Sequence, residues 1–140
     1  MSRAERFREI IVGRAGGACE YCRLLEEGTG VTFHLDHVIP PGAGGKTTLD
    51  NLALSCPGCN LAKGNQTEGL DSAGRRQPLY NQRLHDPSYL GWFLHFVVDL
   101  DTGVIQGATA VGEATITLLQ INAPSRVYAR RLQLLAGLWG

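Results

Sequence analysis

Four cysteines in two close pairs are the feature that most constrains how this chain can fold. The pairs are Cys19-Glu20-Tyr21-Cys22 and Cys56-Pro57-Gly58-Cys59. Two Cys-x2-Cys pairs in one small domain are typical of a zinc site in which four thiolates complete a tetrahedron. Such a site has no open position, so it is predicted to be structural and to close the long loop between the pairs. A disulfide pair or a redox Cys-x2-Cys motif is the alternative interpretation, although a redox motif needs only one pair.

Composition places the chain among ordinary globular domains. Its 140 residues are enough for one domain, and 44% of them are apolar and 19% charged. Lysine plus arginine and aspartate plus glutamate number 13 each, so any site for a polyanion must be local. The charged N-terminus lacks a secretory signal and no apolar run is long enough to span a membrane, which predicts a soluble, cytoplasmic protein.

The first 64 residues predict the order helix, strand, loop, strand, helix. Ser2 and Glu5 have capping-box spacing at the start of a helix over 2–14. Its apolar face is predicted to consist of Phe7, Ile10 and Ile11, and Gly16 and Gly17 end it. A strand over 31–39 is broken by Pro40-Pro41-Gly42, a second strand covers 52–55, and a short helix covers 57–63 before Gly64.

The remainder predicts a polar connection followed by a hairpin and two helices. Residues 65–91 are rich in Gly, Asn, Gln and Pro, which favours an extended or looped segment. A strand over 92–98, the turn DLDTG and residues 104–106 predict a hairpin. Helices follow at about 109–121 and at 124–138. In the last helix one apolar stripe is formed by Tyr128, Leu132, Leu135 and Trp139. Four aromatic residues are expected in the core: Trp92, Phe93, Phe96 and Trp139.

Between the cysteine pairs lies the stretch HLDHVIPPGAGG, residues 34–45, followed by LDNLALSCPGCN and Lys63-Gly64. In this order and on this cysteine frame, residues 19–64 resemble the HNH endonuclease family. The resemblance implies a ββα-metal core. The expected fold is therefore α+β, a small ββα-metal core on a zinc-ribbon-like four-cysteine frame, with an N-terminal helix and a C-terminal hairpin plus helices. We expect one domain over 1–140, with 65–140 as an extension of the core.

The resemblance also implies roles for four residues. Asp36 would be a ligand of a catalytic divalent cation and His37 the general base. Asn51 would brace the ββα loop and help to orient the base. Asn60 occupies the last motif position, where the namesake pattern has histidine; its amide oxygen would be the second cation ligand. The implied reaction is hydrolysis of DNA phosphodiester bonds, leaving 5′-phosphate and 3′-hydroxyl ends.

The chemistry of these side chains agrees with the implied roles. A neutral histidine can accept the proton of a water molecule near neutral pH. One carboxylate and one amide oxygen form a sparse set of hard ligands that suits Mg²⁺ or Mn²⁺. Asp36 and His37 are adjacent, however, so on a regular strand their side chains would face opposite ways. Both reach one site only if the backbone bends there.

Other residues near the motif are weaker candidates. His34, Lys46 and Lys63 are candidates for substrate contact, and each is also compatible with a purely structural or solvated role. No helix-turn-helix or second zinc finger indicates sequence-specific DNA reading. The alternatives to a nuclease are a catalytically silent zinc module that binds nucleic acid or protein, and a thiol redox protein. The sequence leaves the oligomeric state open.

Overall fold

A two-stranded antiparallel hairpin and the helix that follows it lie at the centre of the computed structural model, which describes residues 2–85 and 91–139, without the side chains of residues 84 and 85. The strands are β1 (His34–His37) and β2 (Leu52–Ser55), and the helix is α2 (Pro57–Lys63). A 3-10 turn (Ala4–Phe7) and helix α1 (Arg8–Ala15) precede them. Six short elements follow in the chain: strands β3 (Glu68–Leu70) and β4 (Arg76–Pro78), helices α3 (Gln82–His85) and α4 (Trp92–His95), and strands β5 (Phe96–Val98) and β6 (Ile105–Gly107). Helices α5 (Ala110–Leu119) and α6 (Pro124–Leu135) end the fold, which confirms the α+β class.

The helix predicted over 2–14 is a 3-10 turn followed by α1, which begins later than predicted and ends at the predicted glycine. The backbone N–H of Glu5 donates to Ser2 Oγ at 3.2 Å, and Gly16 ends the helix in the left-handed conformation at φ 64°. Ile11 is buried, but Ile10 is 55% exposed, so the predicted apolar face is wrong at that position. Arg14 attaches α1 to the start of β2, because its guanidinium donates to the carbonyls of Leu49 and Leu52.

The register of the β1–β2 hairpin positions Asp36 and His37, two residues of the candidate site. Asp36 pairs with Ala53 and His37 with Leu52. All four residues of β2 are buried, because α1 covers the strand from one side and the first cysteine loop contacts it from the other. Strand β1 is shorter than the predicted 31–39, since Val31 and Thr32 are exposed and lie outside the sheet.

The segment predicted as a loop over 65–91 instead contains the β3–β4 hairpin and α3, and its residues 86–90 lie outside the described residues. The turn forms because the Asp71 carboxylate accepts the backbone N–H groups of Ala73 and Arg75, at 3.0 and 2.9 Å. Helix α5 packs against both strands. Two three-residue polar strands carry too little hydrophobic alternation to be predicted from sequence.

The predicted strand over 92–98 is half helix. Residues 92–95 form α4, and only Phe96–Val98 pair with β6, which confirms the hairpin over its second half. Trp92 and Phe96 stack at a ring-centroid distance of 4.8 Å, and both are buried as expected. The helical turn rotates Phe93 outwards, and it is 45% exposed rather than a core residue.

Helix α6 buries its polar side instead of the predicted apolar stripe. Tyr128 is 62% exposed and Leu135 is 74% exposed, whereas Arg130 and Gln133 are buried. The Gln133 amide accepts from the N–H of Leu25 and donates to the carbonyl of the same residue, both at 2.9 Å. The buried surface facing α6 is therefore loop backbone, which requires hydrogen-bond partners rather than apolar side chains. Trp139 is partly buried, and its indole N–H donates to Arg23 O at 2.8 Å.

The hydrophobic core is continuous from α1 through the β1–β2 hairpin to the C-terminal elements. Its largest fully buried aliphatic and aromatic members are Ile11, Tyr21, Phe33, Leu52, Leu54, Tyr80, Trp92, Phe96, Ile105 and Leu119. Within the described residues, no helix is both long enough and apolar enough to cross a membrane.

Candidate active site and four-cysteine cluster

The two cysteine pairs meet in one buried cluster. The Sγ atoms of Cys19, Cys22, Cys56 and Cys59 all lie within 4.8 Å of one another, and all four thiols are free. The Cys22 and Cys56 sulfurs are 3.7 Å apart. Zn–S bonds of about 2.3 Å in a tetrahedron place the sulfurs roughly 3.8 Å apart, so the cluster has dimensions that fit zinc.

The electrostatics of the cluster favour a bound cation. Burial raises the pKa of the Cys19 and Cys59 thiols, whereas hydrogen bonds from Cys19 lower the pKa of Cys22 and Cys56. Four adjacent sulfurs therefore do not all become thiolates unless a cation compensates their charge. Four soft, thiolate-forming ligands without an open position indicate zinc in a structural role.

Glu20, which follows Cys19, connects the first cysteine pair to the sheet. Glu20 donates its backbone N–H to Leu54 O and accepts the Leu54 N–H on its carboxylate, both at 2.8 Å. The second carboxylate oxygen of Glu20 forms an ion pair with Arg83. The loop thereby provides hydrogen-bond partners for the backbone groups of Leu54 at the outer edge of β2, as a third strand would. The sequence gives no signal for this contact, because Glu20 is simply a charged residue between two ligands.

Asp36 is buried, and two side chains hold its carboxylate. Tyr21 donates its hydroxyl to Oδ2 at 2.6 Å, and Lys63 Nζ lies 3.3 Å from the same oxygen. Burial raises the pKa of Asp36, although the Lys63 ammonium and the Tyr21 hydroxyl counteract part of that rise. Burial and the Asp36 charge together raise the pKa of Tyr21 well above its ordinary value, so the phenol remains a neutral donor. Tyr21 was not a candidate from sequence.

A polar cleft of about 250 Å³ brings three predicted site residues together. Asp36, His37 and Asn60 all line it, as does the proline turn that ends β1. The chain leaves the sheet directly after His37 and enters a 3-10 turn, Pro41–Ala43. Because β1 ends at His37 and the chain then turns, the adjacent residues Asp36 and His37 both border the cleft.

His37 is held by a single side chain. Its Nε2 lies 2.8 Å from Thr47 Oγ1, and the ring is half-buried. No described residue forms a hydrogen bond with Nδ1 in the structure. A tautomer with the proton on Nε2 donates to the threonine hydroxyl and leaves Nδ1 as an acceptor.

Asn51 lies outside the cleft and fixes the loop above it. Its Oδ1 accepts the N–H of Ile39, and its Nδ2 donates to the carbonyls of Ile39 and Lys46, all at 2.9 Å. Gly45 passes close to the same place: a Cβ there would lie 1.7 Å from Ile39 O and 2.8 Å from Asn51 Nδ2. Only glycine permits this approach, which is the physical reason for the last glycine of PPGAGG.

The three weaker candidates have different environments. His34 and Lys46 are exposed and do not line the cleft. The Lys63 side chain is only 1% exposed, and its ammonium donates to His37 O at 3.1 Å in addition to its ion pair with Asp36. Lys63 thus faces the carboxylate from inside the protein.

The donor set for a second cation is small. In the part of the chain that the structure describes, the four cysteines form the one group of three or more His, Cys, Asp or Glu ligands. The cleft offers the Asp36 carboxylate and the Asn60 amide. A carboxylate has about four acceptor positions, and the Lys63 contacts at 3.3 and 3.4 Å are long, so both oxygens retain capacity for a ligand. The set fits a hard divalent cation that keeps most of its water.

Comparison with known proteins agrees with the cysteine frame and the motif between the pairs. Residues 19–66 match the family model described as HNH endonuclease, which covers about a third of the chain. No curated protein and no solved structure matches the chain. The matched segment contains both cysteine pairs, β1, β2 and α2. Residues 19–66 are therefore similar to the HNH endonuclease family.

Proposed function

We propose that the protein is a divalent-cation-dependent endonuclease that hydrolyses DNA phosphodiester bonds. The observation that carries this proposal is the shared cleft of Asp36, His37 and Asn60 within the segment that matches the HNH family. These three residues provide a base and two hard oxygen ligands at one place. In the rest of the chain, the packing of α5 on α2 supports a single domain over 1–140.

His37 is proposed as the general base. Its Nε2 is engaged by Thr47, so Nδ1 would accept the proton of the attacking water. The hydroxyl of Thr47 would hold the ring in one orientation during this transfer. Asn51 would act indirectly, because its three hydrogen bonds fix the loop between Ile39 and Lys46 that carries Thr47 towards the histidine.

Asp36 and Asn60 are the proposed cation ligands. A bound Mg²⁺ or Mn²⁺ would polarise the scissile phosphate and stabilise the leaving 3′-oxygen. Tyr21 and Lys63 would orient the carboxylate before the cation arrives, since both contact it from the buried side. The exposed residues His34 and Lys46 remain candidates for contact with the DNA backbone.

The decisive experiment is nicking of supercoiled plasmid by zinc-loaded protein in Mg²⁺, Mn²⁺ or EDTA. Cleavage should require the cation and should be abolished in Asp36→Asn and in His37→Ala, with zinc content and circular dichroism unchanged. Asp101→Asn is the matched control, because this exposed turn carboxylate is remote in sequence from the motif and should leave nicking intact. Equal nicking by wild type and His37→Ala would contradict the assignment of the base.

A catalytically silent zinc module is the second candidate, and one observation favours it. The Asp36 carboxylate is buried and already paired with Lys63, as in a structural ion pair. This candidate predicts plasmid binding in a gel-shift assay without cleavage in either cation. It also predicts that Asp36→Asn destabilises the fold without any change in DNA affinity.

A further inference from the structure

Helix α6 contributes a guanidinium to the four-cysteine cluster from a part of the chain outside the family match. Arg126 Nη2 donates to the Cys59 sulfur and lies 3.7 Å from the Cys56 sulfur. Its Nη1 donates to the carbonyls of Leu119 and Gln120 at the end of α5. Arg126 therefore joins the second cysteine pair to both C-terminal helices.

Gly58, between the ligands Cys56 and Cys59, allows this contact. A Cβ at position 58 would lie 2.9 Å from the Cδ and Nε atoms of Arg126. The arginine side chain thus lies directly across the second cysteine pair. Glycine is a poor residue for the interior of a helix, so its presence in the first turn of α2 is explained by the space that Arg126 requires.

A second arginine lies one turn further along α6. Arg130 is fully buried; its Nε donates to Gly103 O at 2.8 Å and its Nη2 to Asn122 Oδ1 at 3.2 Å. Its Nη1 is buried and has no hydrogen-bond partner among the described residues. Arg130 therefore joins α6 to the turn between β5 and β6 and to the segment that follows α5.

The charges of these groups are complementary. Four thiolates and one Zn²⁺ carry a formal charge of minus two in a buried site, and an uncompensated buried charge is strongly unfavourable. Arg126 contacts the sulfurs of Cys56 and Cys59 and carries one positive charge that would partly balance it. Burial by itself would lower the pKa of Arg126, but the charges of Cys59, Cys22 and Cys56 raise it above its ordinary value.

We propose that Arg126 is a counter-cation of the zinc–thiolate centre, so that zinc binding and the docking of α6 onto the HNH segment are coupled. It is a positioning residue that acts on zinc through its ligands. This inference rests on the proposed zinc site and is independent of nuclease activity. Without zinc, the partly buried Arg126 guanidinium would no longer face the zinc–thiolate anion that compensates its charge.

Zinc affinity tests the proposal directly. Competition with a chromogenic chelator should show that Arg126→Gln weakens zinc binding by about 10- to 100-fold, the range typical for residues that contact metal ligands. Arg126→Lys should lose less, because it keeps the charge but not the fork of donors. Arg131→Gln removes one exposed charge from the same helix and should bind zinc as wild type does. Equal affinities for Arg126→Gln and Arg131→Gln would overturn the proposal.

Two further measurements separate a direct effect on the sulfurs from a loss of helix capping. In cobalt-substituted protein, the thiolate-to-metal charge-transfer band should shift in Arg126→Gln and not in Arg131→Gln. Gly58→Ala should weaken zinc binding in the wild-type background and have no added effect in Arg126→Gln, because it acts by displacing that arginine. An unshifted band, or additive effects of the two substitutions, would contradict the proposed contact.

Hydrogen exchange of the wild-type chain needs no variant to fold. Removal of zinc with a chelator should increase exchange in α6, residues 124–135, together with α2, residues 57–63. Increased exchange in α2 with α6 unchanged would overturn the coupling. Wild-type protein that contains no zinc would instead overturn the zinc site on which the inference rests.

Discussion

The Tyr21 hydroxyl donates a 2.6 Å hydrogen bond to Asp36 Oδ2, and Tyr21 lies in the chain between Cys19 and Cys22 of the four-cysteine cluster. The cluster and the cleft are therefore connected through one side chain: Cys19 and Cys22 fix the backbone on either side of Tyr21, and Tyr21 fixes the carboxylate. Both members of the pair are buried. The four-cysteine cluster can thus determine the geometry of the candidate catalytic carboxylate without touching the substrate.

Tyr21→Phe removes this bond while keeping the ring. We expect the free energy of unfolding of zinc-saturated protein to fall by about 2 kcal/mol, because the lost bond has a charged acceptor in a buried site. Urea denaturation measures the change. Tyr128→Phe, at an exposed position on α6, is the matched control and should change stability by less than about 0.5 kcal/mol. The prediction fails if both variants unfold at the same urea concentration.

Two of the three glycines in the PPGAGG turn, Gly42 and Gly45, should respond differently to alanine. Gly45→Ala forces a Cβ against Ile39 O and the Asn51 amide, so we expect a loss of about 2–3 kcal/mol. Gly42 faces open space and has no positive φ, so Gly42→Ala should be near neutral. Thermal unfolding of the two zinc-loaded variants provides the comparison. Similar melting temperatures would show that the loop tolerates displacement at Gly45.

Thr47→Val tests how His37 is oriented. Loss of the only described hydrogen-bond partner of its Nε2 should lower the nicking rate about tenfold, since the ring and its tautomer are no longer fixed. Zinc content should not change. Thr48→Val is the neighbouring control, because the Thr48 hydroxyl donates to exposed Asp50 and not to the histidine. Equal rates for the two variants would remove Thr47 from the mechanism.

Cys56→Ser should remove the metal and the fold together. The serine hydroxyl is a poor zinc ligand, so metal analysis should fall from about one zinc per chain towards none. The melting temperature should fall to that of wild-type protein treated with a strong chelator. A Cys56→Ser variant that melts with the zinc-loaded wild type would show that the cluster does not stabilise the fold.

Acid should loosen the β3–β4 turn only at low pH. Hydrogen bonds from the Arg75 N–H, the Gln77 amide and the Ala73 N–H hold the pKa of Asp71 below its ordinary value. The stabilisation is present above the unfolded-state pKa of about 3.9 and is lost as the pH falls through the lower folded-state value. Carboxyl-detected NMR titration measures the folded value, and Asp71→Asn should remove the transition from the turn amides.

Much of the candidate site could be predicted because its signals are local. The spacing of four cysteines predicted the cluster, and Pro57 and Gly64 predicted both ends of α2. The residues of the HNH pattern lie on β1, the loop after it and α2, and three of them reach one cleft. Their proposed roles stay predictions, since the geometry describes positions and contacts rather than reaction.

Sequence could not predict the partners that arrive from distant parts of the chain. Arg126 was one of several arginines on an apparently ordinary helix, and its contact with Cys59 spans 67 residues. Tyr21 and Glu20 gave no pattern of their own. The apolar stripe of α6 was assigned to the core, although the helix buries Arg130 and Gln133 against loop backbone.

The sequence by itself determined the cysteine frame, the order strand, strand, helix around it and the α+β class, because ligand spacing, proline and glycine act over a few residues. The tertiary structure alone decided which side of α6 is buried, that Lys63 faces Asp36, and that the Arg126 guanidinium approaches the thiols. These outcomes depend on the charges and unpaired backbone groups that packing brings together. Such groups are far apart in sequence and become partners only when the chain is folded.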